Sequence, residues 1–151
     1  MAAVLDLYAR RIVGWASSAT MESALVCQAL WKALNLRKPQ AGLLHHSDRG
    51  VQYTSEAYQT LLNTQGITVS LSRPGNCWDN AVMERFWGSL KSERTKGKHY
   101  WTREEAKQDV ADYMDNYYNT KRLHAYLGYR SPAEYESLQA AHDRLSGRQA
   151  A

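Results

Sequence analysis

The segment from residue 42 to residue 91 constrains the fold of this chain more than any other stretch. A short apolar run at residues 42–44 predicts a buried strand that stops at Asp48, turns on Gly50 and enters a helix near Thr54. A second helix is predicted from about residue 80, because one apolar face recurs at i, i+3, i+4 and i+7: Met83, Phe86, Trp87 and Leu90. A carboxylate at the carboxyl end of a strand lies at the rim of a sheet, where open α/β folds bind ligands. The segment therefore predicts an α/β fold with an acidic site at a sheet rim.

The second helix of this segment carries both signs of charge on one side. Glu84 and Lys91 lie seven residues apart, so two helical turns place them on the same side, beside the apolar stripe. One helix thus presents a carboxylate and a cation toward a shared site. The ordinary alternatives are a solvated Glu and Lys on a helix surface, and an Asp48 that only caps a turn.

The other helices and strands are predicted from alternating hydrophobicity, from helix-capping residues and from Gly and Pro residues that end regular structure. They are strands at residues 4–8, 12–16 and 67–71, and helices at residues 20–36, 55–65, 80–94, 102–118 and 131–145. Thr20 is the expected cap of the first helix, and capping boxes open the last two. The helix at residues 102–118 is expected to bury one face: Ala106, Val110, Tyr113 and Tyr117.

Charge favours a nucleic-acid partner without establishing one. A chain of 151 residues fits one domain, and its formal net charge of +4 is a mild basic excess. From residue 84 to residue 107 there are seven Lys or Arg against four Glu. This density of basic residues also fits an ordinary solvent-exposed helix surface. Beside an acidic site, however, a surface that contacts phosphates is the better interpretation.

Several other classes of protein are disfavoured. The two cysteines, Cys27 and Cys77, give neither a disulfide framework nor a zinc pattern, and Cys27 is expected in the core. No signal peptide or membrane-length apolar run is visible, so a reducing cytoplasm fits. An EF-hand loop from Asp48 fails because its twelfth position is Gln59. Adjacent histidines at residues 45–46 point to opposite faces of a strand and cannot share a metal ion.

Four sequence blocks carry a resemblance to a known family. Thirty-five residues separate Asp48 from Glu84, and Lys91 follows seven later. The blocks are DLYARRIVGW at 6–15, HSDRGVQY at 46–53, SRPGNCWDN at 72–80 and YNTKRLHAYLGYRSPAE at 118–134. With them the chain resembles the catalytic domain of DDE transposases and retroviral integrases, and in particular the IS3-like insertion-sequence transposases.

The resemblance implies a ribonuclease H-like mixed sheet with helices on both faces. Residues 1–136 would be the catalytic core, and residues 137–151 the end of the last helix and a tail. The family's first catalytic Asp lies on an opening strand that has no counterpart here, because Asp6 matches a later block. The chain is therefore expected to be an N-terminally truncated core whose first strand is missing.

The resemblance also implies an activity and its participants. An intact family member nicks transposon ends with metal-bound water, then joins the freed 3′-hydroxyl to target DNA. Asp48 and Glu84 would be catalytic ligands of two Mg²⁺ (or Mn²⁺) ions, and the missing Asp would be common to both. The fragment is thus expected to bind DNA without cutting it. DNA and further copies of the chain are the expected partners, and no membrane is involved.

DNA contacts are expected on the helix that carries Glu84 and on the loop before it. Lys91, Arg85 and Arg94 would face phosphates, while the loop at residues 73–80 would contribute Arg73, Asn76 and Trp78. Trp78 is expected to be partly exposed on a mobile loop, where it could stack on an unpaired base. Arg122 and His124 would contact DNA or fasten the last helices. The alternative functions are a catalytically dead remnant or a regulator that binds DNA or full-length transposase and, more distantly, a ribonuclease H-like nuclease.

Overall fold

The computed structural model describes residues 1–73 and 80–147, and its contacts divide the chain into two compact units. The first unit comprises Met1–Val4 and Val13–Gly88, and the second comprises Leu5–Ile12 and Ser89–Ala151. Residues 74–79, which include Asn76 and Trp78, and residues 148–151 lie outside the described residues.

Two strands open the chain and pair in one sheet, β1 (Ala2–Asp6) and β2 (Arg11–Ala16). Only four residues join them, so the strands run antiparallel, as the predicted hairpin requires. Strand β1 ends two residues earlier than expected because the Asp6 Oδ1 accepts the Tyr8 N–H at 2.8 Å and thereby starts the turn. Arg10 completes the turn with a φ of 56°.

Helix α1 (Ser23–Arg37) supplies much of the core of the first unit. Its buried residues are Leu25, Val26, Ala29, Leu30 and Ala33. The predicted Thr20 cap is wrong: the N-cap is Glu22, and the Thr20 N–H donates to the Ser18 Oγ in the turn before the helix. Trp31 points outward, with 60% of its surface exposed. The helix ends at Arg37, one residue beyond the predicted end, and Lys38 follows in the left-handed conformation.

A parallel strand pair follows, β3 (Leu44–Ser47) and β4 (Thr68–Leu71), connected by helix α2 (Glu56–Thr64). Ser55 caps α2 by accepting the Tyr58 N–H. The expectation of a buried run at residues 42–44 is wrong, since Leu43 is 48% exposed and Leu44 is 63% exposed. Within the described residues β3 pairs only with β4, so its other edge forms no ladder with a described strand. The sheet is thus present as two two-stranded pieces.

Helix α3 (Ala81–Leu90) continues into a first π-helical turn (Lys91–Thr95). Helix α4 (Arg103–Asp112) likewise ends in a second π-helical turn (Tyr113–Tyr118). A short 3₁₀ helix (Ala125–Leu127) precedes α5 (Pro132–Leu145). Both predicted N-caps are confirmed, because the Glu105 and Glu134 N–H groups donate to the hydroxyls of Thr102 and Ser131 respectively. The Glu105 carboxylate accepts the Trp101 N–H rather than that of Thr102.

The second π-helical turn changes which tyrosine is buried. A π turn takes up one residue more than an α turn, so later side chains shift around the axis. Met114 and Tyr118 are 0% and 4% exposed, whereas Tyr117, which a continuous α-helix would bury, is 41% exposed. The predicted core position of Tyr117 is therefore wrong. Over the described residues, no helix combines the length and apolarity needed to cross a membrane.

Candidate functional site

Asp48 directly follows the end of β3 and is half-buried. Its Oδ1 accepts the Gly50 N–H at 2.8 Å, so one carboxylate oxygen caps the turn that leads to α2. A side chain at residue 50 would collide, because its Cβ would lie 2.9 Å from that same oxygen. Burial, and secondly the charge of Asp48, raise the pKa of Tyr53. Asp48 thus holds a fixed place at the carboxyl end of a strand.

Two side chains that the sequence interpretation missed hold this end of the strand pair. The His46 Nδ1 lies 2.9 Å from the Ser70 Oγ, and its Nε2 lies 3.1 Å from the Ser72 Oγ. The Arg49 Nε donates to the Ser72 carbonyl at 2.9 Å. The available signal was the period of two, which places His46 and Ser70 on one face of neighbouring strands.

His45 faces the other side of β3, as its alternation with His46 predicts. Its Nε2 lies 2.9 Å from the Tyr58 hydroxyl on α2. Burial, with a smaller contribution from the charge of His46, lowers the pKa of His45 to about 4. Burial also raises the pKa of Tyr58 well above its usual range. At neutral pH both groups are uncharged and serve as a hydrogen-bonded part of the core.

Glu84 lies on the exposed face of α3, beside the exposed Arg85. The predicted apolar face of this helix is confirmed: Phe86 is 1% exposed and packs its ring 4.8 Å from that of Trp87. Asp48 and Glu84 belong to the same compact unit. Their approach to one rim stays a prediction.

Lys91 opens the first π-helical turn and is exposed, without an ion-pair partner among the described residues. The neighbouring Glu93 is fixed by a cluster of its own: the Arg122 Nη2 donates to it at 2.8 Å and the Tyr113 hydroxyl at 2.8 Å. Burial raises the pKa of Glu93, but hydrogen bonds from Arg122 and Tyr113 outweigh burial and hold it below its usual value. Arg122 also donates to Ser89 at 3.1 Å. Arg122 therefore fastens the segment after the second π-helical turn to the end of α3 and to Glu93, and its DNA contact stays a prediction.

His124 packs within the second unit and is uncharged at neutral pH. Its ring packs edge-on against Tyr118, with the ring centroids 4.9 Å apart. Burial first, and the nearby charge of Arg122 second, lower the pKa of His124 to about 4. The imidazole is therefore neutral at pH 7 and adds no charge for a phosphate.

A second cluster neutralises part of the basic region. Asp109 accepts hydrogen bonds from Arg94 at 2.8 Å, Lys98 at 2.9 Å and the Tyr100 hydroxyl at 2.6 Å. Arg94 also reaches Asp112 at 2.6 Å. These pairs favour a structural role for Arg94, whose predicted DNA contact remains untested. The basic residues of this stretch that lack an ion pair among the described residues are Arg85, Lys91, Lys96 and Arg103.

Of the predicted loop at residues 73–80, the structure describes only Arg73 and Asn80. Arg73 is exposed and takes part in an interaction within the chain. Asn76 and Trp78 lie outside the described residues, so base stacking by Trp78 stays a prediction.

The carboxylates of Asp48 and Glu84 are the kind of ligand that the expected metal ions prefer. Two carboxylates are, however, fewer than the expected site needs. Mg²⁺ and Mn²⁺ prefer hard oxygen ligands, which Asp48 and Glu84 would supply. Residues 1–73 and 80–147 contain no group of three or more His, Cys, Asp or Glu side chains that could hold a metal ion. A carboxylate pair leaves most of the coordination shell to water or to other ligands.

Comparison with family models and relatives agrees with the sequence blocks. Residues 1–77 and residues 65–132 each match a model described as integrase core domain. The transposase for insertion sequence element IS904 of Lactococcus lactis is 44% identical over 140 residues, which are 93% of this chain and 55% of that protein. Transposase InsF for insertion sequence IS3A of Escherichia coli is 39% identical over 141 residues, 93% of this chain and 49% of that protein. The chain spans about half the length of the curated relatives it matches.

Comparison with solved structures gives the fold. A chain of a simian T-cell lymphotropic virus intasome in complex with a PP2A regulatory subunit has a TM-score of 0.65 at 14% identity, covering 87% of this chain and 45% of that one. The catalytic core domain of BIV integrase has a TM-score of 0.51 at 23% identity, covering 85% of this chain and 78% of that one. The predicted ribonuclease H-like α/β fold class is confirmed.

Proposed function

The chain belongs to the integrase core domain family, on its IS3-like insertion-sequence branch, and we propose that it serves DNA transposition as the catalytic part of a DDE transposase. One observation carries this proposal. Asp48 follows β3 directly, and Glu84 lies on the exposed face of α3 in the same compact unit. These are a strand-end and a helix carboxylate, in the order and spacing of the family's second and third acids.

The two carboxylates have distinct settings that suit this role. Asp48 has one oxygen held by the Gly50 N–H, which fixes the orientation of the carboxylate. Glu84 is exposed, so its carboxylate is accessible to a bound ion or strand. A divalent ion, when bound, supplies charge relief on the phosphodiester. Because the described residues contain no group of three or more side chains that could hold a metal ion, we expect the chain alone to bind Mg²⁺ or Mn²⁺ weakly, whereas the resemblance implies two ions in the family.

DNA is the proposed substrate, both as transposon ends and as target. Lys91 and Arg85 would contact phosphates, since each is exposed and lacks an ion pair among the described residues. The loop residues Arg73, Asn76 and Trp78 would contact the strand beside the acids. A homo-oligomer and a cytoplasmic location, where the DNA lies, are part of the same proposal.

A strand-cleavage assay on insertion-sequence end DNA tests the proposal. The variants are this chain, the chain fused to the first strand and Asp of a relative, and Glu84→Gln and Asp48→Asn in both backgrounds. We expect the fused form to nick with Mg²⁺ or Mn²⁺ and each substitution to abolish nicking, because neither amide replaces an anionic ligand. The chain alone is expected to bind without cutting.

Two outcomes would change this view. Nicking by the unfused chain that disappears in Glu84→Gln means that two acids suffice. A fused Glu84→Gln variant that nicks at the parental rate removes Glu84 from the catalytic set and leaves a DNA-binding regulator as the better function.

A further inference from the structure

The loop at residues 124–130, called here the tyrosine loop, holds two aromatic rings in solvent on a fixed backbone. Tyr126 is 71% exposed and Tyr129 is 73% exposed, while Leu127 between them is 2% exposed. The Leu127 and Tyr129 N–H groups both donate to the His124 carbonyl, at 3.0 and 2.9 Å. The two ends of the loop also pair in an antiparallel bridge. Leu127 and these bonds anchor the loop, so the exposure of the rings is built into the fold.

The backbone at the second ring is strained. Tyr129 has a φ of 58°, in the left-handed region that residues other than Gly, Asn and Asp seldom adopt. Gly128 before it has a φ of 65°, which glycine tolerates. The same region serves an ordinary turn at Arg10 and a helix end at Lys38, so at Tyr129 it is the combination with an exposed aromatic ring that suggests a functional position.

The charges around the tyrosine loop are positive and partly uncompensated. Residues 118–131 contain three Lys or Arg and no Asp or Glu. Of these, Arg122 is paired with Glu93, whereas Lys121 and Arg130 have no ion pair among the described residues. The Arg130 Nη1 lies 3.1 Å from the position where a Cβ of Gly128 would stand, so this guanidinium folds back over the loop.

A further cation comes from the turn between β1 and β2. The Arg10 guanidinium lies 4.0 Å from the ring centroid of Tyr126, in a cation–π contact. Arg10 has no ion pair with any residue the structure describes. Two exposed rings and two arginines therefore share one small surface of the second unit.

We propose that the tyrosine loop, together with Arg10 and Arg130, binds unpaired nucleotides of a DNA strand. Exposed aromatic rings stack on bases of any sequence, and arginines contact the phosphates between them. In a duplex the base faces are already stacked, so the rings have nothing to cover. Uncompensated positive charge favours a polyanion over an apolar protein surface. The inference rests on the proposed function, since it assumes that the chain binds DNA. The surface it assigns lies in the second unit, whereas Asp48 and Glu84 belong to the first.

Fluorescence anisotropy with two labelled probes tests the assignment. The probes are a 12-nucleotide oligothymidine and a 12-base-pair duplex, and the variants are Tyr126→Ala, Tyr129→Ala and the two Tyr→Phe forms. Trp101→Ala is the matched control, since Trp101 is an aromatic residue outside the loop that is 87% exposed. We expect each Tyr→Ala change to weaken oligothymidine binding about tenfold, or about 1.4 kcal/mol, with a much smaller effect on the duplex. The Phe variants and Trp101→Ala are expected to bind like the parent.

The possible results separate this inference from the proposed function. Parent protein that binds neither probe contradicts the proposed function. Parent protein that binds both probes while the Ala variants keep single-strand affinity within about twofold contradicts only the tyrosine loop assignment. Ala variants that change the sedimentation of the protein without changing oligothymidine affinity show a protein–protein surface and overturn the proposal. Thermal unfolding of each variant checks that the fold is intact.

Discussion

At the residue scale, the burial of His45 makes the stability of the folded protein depend on pH. Its pKa is about 4 in the folded protein, against about 6.5 in an unfolded chain. Between these values the unfolded state binds more protons than the folded state, so acidification favours unfolding. His124, with a pKa of about 4, adds its own share.

We therefore predict that stability falls as pH decreases from about 6.5 toward about 4. His45 alone accounts for a loss of about 2 kcal/mol between pH 7 and pH 5. Urea unfolding at the two pH values measures this loss. His45→Gln keeps a polar partner for Tyr58 without titrating, and its smaller pH dependence is the expected control. A variant with the full parental pH dependence contradicts the assignment.

Gly14 marks a contact that no other residue permits. A Cβ on Gly14 would lie 2.2 Å from the Ala29 carbonyl oxygen and 2.7 Å from the Ala33 nitrogen, both backbone atoms of α1. A side chain here forces β2 and α1 apart.

We predict that Gly14→Ala destabilises the protein by about 3 kcal/mol. Gly88→Ala is the matched control, because nothing lies within 4 Å of the added Cβ and the residue is in α3. That control is expected to stabilise by about 0.5–1 kcal/mol, since Ala is the better helix former. Equal unfolding midpoints for the two variants in denaturant contradict the close-approach argument.

At the element scale, predictions that rest on local chemistry were accurate, whereas the second π-helical turn caused one error in the predicted core. Two caps with a local chemical signature were predicted correctly: Thr102 and Ser131 each accept a hydrogen bond from the first turn of a helix. Thr20 has the same chemistry and caps nothing, because the chain turns once more before α1 begins. The inserted residue of a π turn leaves no local signature, so Tyr117 was placed in the core instead of Tyr118.

In the candidate site, too, features with a local sequence pattern were predictable and features that depend on long-range contacts were not. The carboxyl-terminal position of Asp48 on a strand and the apolar face of α3 follow from periodicity, which the sequence displays directly. The partners of Arg94 and Arg122 do not, because they depend on long-range contacts with Asp109 on α4 and with Glu93. The exposure of Leu44 also depends on which strands pair, and alternation alone does not determine pairing.

Arg122 joins elements that the π turns bring together. It donates to Glu93 in the first π-helical turn and to Ser89 before it, while Tyr113 of the second π-helical turn donates to the same Glu93. The two side chains of the ion pair are 24% and 32% exposed, so solvent screens the pair only in part.

We predict that Arg122→Ala destabilises the protein by about 1–2 kcal/mol, since it removes charge-assisted hydrogen bonds and leaves Glu93 with one donor. Arg122→Lys is expected to recover less than half of this loss, because an ammonium lacks the planar fork that contacts both Glu93 oxygens. Lys96→Ala, a change at an exposed cation, is the control and is expected to stay within about 0.5 kcal/mol of the parent. The unfolding free energy of each variant gives the comparison.

At the scale of the whole molecule, DNA binding depends less on net charge than on which cations already form ion pairs with carboxylates. The formal charge is +4, yet in the basic stretch Arg94, Lys98 and Lys107 are already matched to carboxylates. A cation held by a carboxylate has little to gain from a phosphate, and its release of counterions on binding is correspondingly small. The unpaired cations, Lys91 among them, therefore determine how binding responds to salt.

Salt dependence consequently distinguishes two lysines seven residues apart in the same basic stretch. We predict that Lys91→Gln lowers the steepness of log K against log salt for a duplex by about 0.9, the value for one lost phosphate contact. Lys98→Gln removes the same formal charge, but Lys98 is bound to Asp109 at 2.9 Å, so its slope is expected to match the parent. Anisotropy titrations from about 50 to about 200 mM salt measure all three slopes. Equal changes in both variants mean that net charge alone governs binding, and an unchanged slope for Lys91→Gln removes Lys91 from the DNA contacts.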